Sequence, residues 1–230
     1  MLPGDIPGAF YPCDWRDRIF MKNYVITIAR GFGSGGKMIG NMLSQELGIP
    51  CYERQILKMA SEYSGINENL FAEVDEKLRG SYIAKKLSGF PNTNSIAEPA
   101  QKEFVSDVNL YNIQAQIIRN LAKTESCIII GKCADRILRN YSNTISVYVE
   151  APREYCVKSI MERLGVEEDE ANGMIYRTDK YRAEYYKYYS GGQDWTNPTN
   201  YDLVLNTARM GRENCVKIIK EYVKLKTGEL

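Results

Sequence analysis

One short stretch, "ITIARGFGSGGKMIG" from Ile26 to Gly40, constrains the fold more than any other part of the chain. β-Branched alternation gives way to glycines at 31, 33, 35 and 36, and then to helical spacing. Gly31, Gly36 and Lys37 stand at the spacing G-x-x-x-x-G-K. Between a strand and a helix, such glycines let successive backbone N–H groups converge on phosphate oxygens; the helix N-terminus adds positive potential, and the lysine reaches the outer phosphates. The candidate phosphate-binding residues are therefore Gly31, Gly33, Ser34, Gly35, Gly36, Lys37 and Met38. The competing reading is a plain glycine-rich turn with a solvated lysine. Met38 stands where a hydroxyl residue commonly touches Mg²⁺, which leaves that ion to the phosphates, water and at most one carboxylate. No metal ligand is assigned.

The remaining periodicity repeats the strand-then-helix theme. Strands are expected over Tyr24 to Ala29, Cys127 to Gly131, Thr144 to Glu150 and Tyr201 to Asn206, with a short apolar piece at Ile49 to Tyr52. Helices are expected over 38–47, 54–63, 67–87, 101–123, 152–164, 167–189 and 212–226. Short apolar strands separated by helices predict a parallel sheet with crossovers, in a three-layer α/β arrangement of about five strands. Residues 88–100, with two prolines among Gly, Asn, Ser and Thr, read as a mobile connection. The first twenty residues carry three prolines and read as an appendage to a single domain over 21–230. Two readings of them are open: a structured arm, or residues upstream of a natural start at Met21.

The chain contains no histidine, which removes a Ser-His-Asp triad, a Cys-His dyad, a His-ligated zinc and any imidazole base. Phosphoryl transfer tolerates that absence, because it asks for positioning and charge neutralisation more than for proton abstraction. Thirty basic and twenty-nine acidic residues give a net charge of +1, too little to draw the whole chain to nucleic acid or anionic lipid. Six scattered cysteines without a C-x-x-C pair fit a reduced, cytoplasmic setting. No apolar run is long enough to span a bilayer.

With "ITIARGFGSGGKMIG", "YERQIL", "IIIGKCAD" and "YRTDKYRAEYYKYYSGGQDWTNPTNYDLVLNTARMG", the chain from Tyr24 onward resembles the cytidylate kinase-like branch of the P-loop nucleoside monophosphate kinases. The resemblance implies a three-layer P-loop fold with a helical lid near 153–195 and an acceptor-binding helical segment near 53–123. It also implies transfer of a phosphoryl group from ATP, with Mg²⁺, to CMP or dCMP. Glu53 stands where that family more often has Asp, and Lys132 where it has Arg, keeping charge without the bidentate fork. On this resemblance Glu53, Arg54, Lys132, Asp135, Asp179 and Asp202 are acceptor-side candidates. Lys37, Arg177, Arg182 and Arg153 are the candidate catalytic cations, and Arg163 lies on the same lid helices. Asp194 and Trp195 read as a lid hinge or a buried anchor.

Two rival readings stay open at this point. One is a P-loop kinase for another small acceptor. The other is a non-catalytic nucleotide- or RNA-binding protein using Tyr176, Tyr181, Tyr185, Tyr186, Tyr188 and Tyr189, which interleave with basic residues. Aromatic residues at helical spacing more often pack a helix on its neighbours, and the near-neutral charge points the same way, so no nucleic-acid partner is expected.

Overall fold

A computed structural model describes residues 23–76, 96–99 and 101–228. The first twenty residues, the end of the helix expected over 67–87 and most of the stretch 88–100 lie outside them.

Five parallel strands form one sheet in the order β2-β3-β1-β4-β5. They are β1 (Val25–Arg30), β2 (Cys51–Tyr52), β3 (Cys127–Ile130), β4 (Thr144–Glu150) and β5 (Leu203–Asn206). Central β1 pairs in register with β3 (Val25 with Cys127) and with β4 (Val25 with Thr144). Its alternation explains the layering. Ile26 and Ile28 face a core shared with Ile39 and Leu43 of α1 (Gly36–Leu47) and with Val216 and Ile219 of α9 (Arg212–Thr227). Val25 and Ala29 face the opposite core. There they meet α2 (Gln55–Ser64), α3 (Glu68–Glu76) and α4 (Asp107–Thr124). Strands buried on both faces read as continuous apolar runs, which is why β3 is Cys-Ile-Ile-Ile.

The helix expected over 101–123 is interrupted. A short 3-10 turn, Lys102–Val105, ends at Ser106, whose extended backbone and side-chain oxygen, accepting from the Asn109 N–H, restart the chain as α4. A serine N-cap carries its own start signal, and here it outweighs the apolar periodicity on either side. Between β3 and β4 lies α5 (Ala134–Ile137), and α8 (Thr207–Met210) follows β5. These four-residue helices are too short to leave a periodic trace in the sequence.

After β4 come α6 (Arg153–Leu164) and α7 (Glu168–Tyr189). The N-terminal part of α7 and α6 share a small core of Cys156, Val157, Ile160, Ala171 and Ile175. The C-terminal part joins the main core, where Tyr189 stacks on Tyr111 of α4 with ring centres 3.9 Å apart. Tyr185, Tyr186, Tyr188 and Tyr189 are all buried, so this aromatic run packs the domain. No helix among the described residues is long and apolar enough to cross a membrane, and the five described cysteines are free thiols.

Candidate active site

The glycine turn leaves β1 at its carboxyl end and is shaped from several sides. Ser34 is fully buried, and its hydroxyl donates to the carbonyls of Gly31 and Val149. Thr207 donates to the Ser34 carbonyl at 2.7 Å, tying the turn to the segment after β5. Gly31 leaves room for Glu150: an added Cβ would lie 2.3 Å from its carboxylate oxygen, which would have to move. Gly33 and Gly35 have φ of +91° and +95°, which side chains of ordinary residues disfavour.

Among the described residues, the N–H groups of Gly33, Gly35, Gly36, Lys37 and Met38 have no acceptor. These amides cluster at the start of α1, where a helix leaves its donors unpaired and its dipole positive. The amides of Gly31, Phe32 and Ser34 are used internally, by Val149, by the Asp179 carboxylate at 2.8 Å and by Gly31. Within the sequence-based set, Gly31 and Ser34 therefore shape the turn, and Gly33 and Gly35 to Met38 present its open donors.

Beside the turn lies a cavity of about 490 Å³. Arg30, Arg54, Lys132, Arg177 and Arg182 supply positive charge to its wall; Glu53 and Asp135 are its acids; Tyr181, Tyr185, Tyr186 and Trp195 are its aromatic side. A smaller cavity of about 350 Å³ shares Glu53 and Arg54 and reaches Lys37. Six of the sequence candidates thus meet at the larger cavity: Glu53, Arg54, Lys132, Asp135, Arg177 and Arg182.

Three others are placed elsewhere. Asp202 sits at the amino ends of the strands, where it accepts from the backbone and hydroxyl of Ser146 and lies 3.8 Å from Lys226. It fastens β5 to β4. Arg153 bonds Asn172 twice and joins α6 to α7 on the exposed surface. Asp179 is not in the cavity wall; it holds the Phe32 N–H and the Arg182 guanidinium. In each case a nearer partner within the protein answers the charge that suggested a substrate contact. Arg30 is a cavity residue that the sequence reading did not assign, and Tyr181, Tyr185 and Tyr186 were singled out there only for the rival nucleic-acid reading. For Arg30 a signal existed: it is the one cation in β1, placed directly before the first glycine of the turn.

The charges are strongly coupled. Glu53 bridges Lys37 at 2.6 Å and Arg30 at 3.1 Å. Burial alone would raise its pKa, but the Lys37 hydrogen bond and the charges of Arg30, Lys37 and Lys132 outweigh it and hold the carboxyl below its ordinary value. Burial, and then the neighbouring Arg30, pull the Arg182 guanidinium down to about 10, so it stays charged at neutral pH. Arg182 also donates to the Arg30 carbonyl at 3.0 Å, and both it and Arg163 lie over the Phe32 ring.

Asp135 is the reverse case. Burial pushes its pKa up to about 6, against the Tyr186 hydroxyl that donates to it at 2.8 Å. An acid whose folded pKa exceeds its unfolded value binds extra protons when folded, so stability is highest below the unfolded pKa of 3.8 and is lost as pH rises toward 6. The shift corresponds to a penalty on the order of 3 kcal/mol at neutral pH. Asp135→Asn, which keeps an acceptor for Tyr186, is expected to stabilise the protein at pH 7.5, with the gain vanishing near pH 4. Urea unfolding at both pH values checks this.

Backbone strain marks the same corner. Gly131, Lys132 and Cys133, which follow β3, all have positive φ (75°, 61° and 51°). Such strain at non-glycine residues costs on the order of 1–3 kcal/mol each and gathers at functional sites. Among the described residues no group of three or more metal-ligating side chains occurs. Glu53, Glu150 and Asp179, the carboxylates that touch the turn, are already engaged by cations or by N–H and O–H donors.

The chain and its fold have counterparts among known proteins. A cytidylate kinase of Methanopyrus kandleri is 23% identical over 206 residues, covering 89% of this chain and 95% of that protein. An uncharacterized protein from Eubacterium ventriosum shares the fold, with a TM-score of 0.64 at 24% identity over 88% of this chain and 99% of that one. A shikimate kinase from Bacteroides thetaiotaomicron aligns at a TM-score of 0.48 and 12% identity, covering 87% and 98%. Residues 25–209 match the cytidylate kinase-like family, and the chain belongs to it.

Proposed function

We propose that this protein is a phosphotransferase that moves the γ-phosphoryl group of ATP to a nucleoside monophosphate, with CMP or dCMP as the preferred acceptor. The observation that carries the reading is a juxtaposition: open amides at the start of α1 stand next to a cavity with five cations and an aromatic side. ATP enters with its own Mg²⁺, held by phosphates and water, and its β- and γ-phosphates take the amides of Gly33 and of Gly35 to Met38, with Lys37 alongside. The acceptor phosphate lies among Arg54, Lys132 and Arg177, and its base rests against the aromatic wall.

An oxygen of the acceptor phosphate attacks the γ-phosphorus, the bond to the β-bridging oxygen breaks, and ADP and the diphosphate leave. The acceptor oxygen is ionised beforehand, so no general base is needed. Arg177 and Arg182 neutralise charge on the transferring group and exclude water, limiting wasteful hydrolysis. Asp135 can accept from the exocyclic amine that cytosine has and uracil lacks, which supports the choice of base. The 23% identical cytidylate kinase supports it as well.

ADP release coupled to a spectrophotometric readout, across CMP, dCMP, UMP, AMP, shikimate and a sugar, tests the reading. CMP and dCMP are expected to give the highest kcat/KM. Turnover confined to a non-nucleotide acceptor, or ATP binding without transfer to any of them, overturns it.

A further inference from the structure

The residue immediately before the glycine turn has no role in the reading above. We infer that Arg30 is a catalytic cation that contacts the transferring phosphoryl group between the two substrates, and that Glu53 is its displaceable counter-ion in the unliganded protein. This rests on the phosphotransfer reading and adds a residue to it.

Position comes first. The stem of Arg30 crosses Gly36, where an added Cβ would lie 2.6 Å from the Arg30 Cβ, and its guanidinium covers Gly131, where an added Cβ would lie 2.1 Å from Nη1. Arg30 thus spans from the first turn of α1, where the donor amides open, to the turn after β3 in the wall of the cavity. Each end is a glycine that leaves room for it.

Charge comes second. One carboxylate, Glu53, is shared by Arg30 and Lys37, and it lines both cavities. Lys132 and Arg182 stand in the same wall, and the Arg182 guanidinium is fastened to the Arg30 carbonyl. Arg30 and Lys37 are two cations on one bridging carboxylate, so that pair carries more positive charge than Glu53 offsets, while Asp179 offsets Arg182. A phosphoryl group in flight between donor and acceptor carries the complementary charge on its equatorial oxygens. When it arrives, Lys37 and Arg30 exchange Glu53 for phosphate oxygens.

Arg30→Met keeps the stem over both glycines and removes only the guanidinium. Turnover is expected to fall roughly 10²–10³-fold, while KM for ATP and CMP and the calorimetric affinity for ADP stay within about threefold. Added guanidinium ion is expected to restore part of the turnover of Arg30→Ala, a rescue that a structural strap would not show. Glu53→Gln frees Lys37 and is expected to bind ADP several-fold more tightly.

A lowered melting temperature with a matching loss of ADP affinity and no guanidinium rescue overturns the role of Arg30. Unchanged or weaker ADP binding by Glu53→Gln overturns that of Glu53. A wild-type protein that transfers to none of the acceptors refutes the phosphotransfer reading itself, whereas wild-type transfer with undiminished Arg30→Met turnover refutes only this inference.

Discussion

Lys37→Met is expected to lower turnover by roughly three orders of magnitude, the scale seen when one preorganised charge is removed from a transition state. The Lys37 side chain is 58% exposed and its ammonium contacts only Glu53 among the described residues, so the fold does not depend on it. The melting temperature of the variant should therefore match wild type. Single-turnover kinetics with ATP and CMP, read beside a thermal melt, separate loss of chemistry from loss of structure. Retention of most activity would count heavily against the glycine turn as the donor site.

Gly131→Ala is the second large effect, and a glycine elsewhere provides its control. Gly131 has φ of +75° and its added methyl would strike the Arg30 guanidinium; Gly48, at φ of +66°, ends α1 with nothing within 4 Å. Both substitutions carry similar backbone strain, about 1 kcal/mol or somewhat more. Only the first also displaces a cavity cation. Gly131→Ala is expected to lose at least about 100-fold in kcat/KM and Gly48→Ala to lose stability alone. Steady-state kinetics and chemical denaturation of the two proteins side by side give the comparison.

The central strands and the glycine turn were legible because one local rule governed each. Ile26 and Ile28 alternate with Val25 and Ala29 across two buried faces, and the G-x-x-x-x-G-K spacing lies where the strand ends. The short helices α5 and α8 were not legible, since four residues carry no period. The serine cap at Ser106 was present in the sequence, but the apolar spacing on both sides of it reads as one uninterrupted helix.

At the site, charge alone could not separate a cavity-lining side chain from one held internally. Asp202, Asp179 and Arg153 look like Asp135 and Arg177 in sequence, and only the sheet geometry places Ser146, Phe32 and Asn172 within their reach. The order of the strands was equally hidden. It brings Arg30 of β1 beside Gly131 after β3 across a hundred residues of chain.

Phe32 lies beneath guanidinium groups from two helices, Arg163 of α6 and Arg182 of α7, while Asp179 of α7 grips its amide. These contacts tie both helices to the turn. If donor and acceptor bind as proposed, this link couples their sites, and whatever one ligand does to the affinity of the other, the other does equally to it.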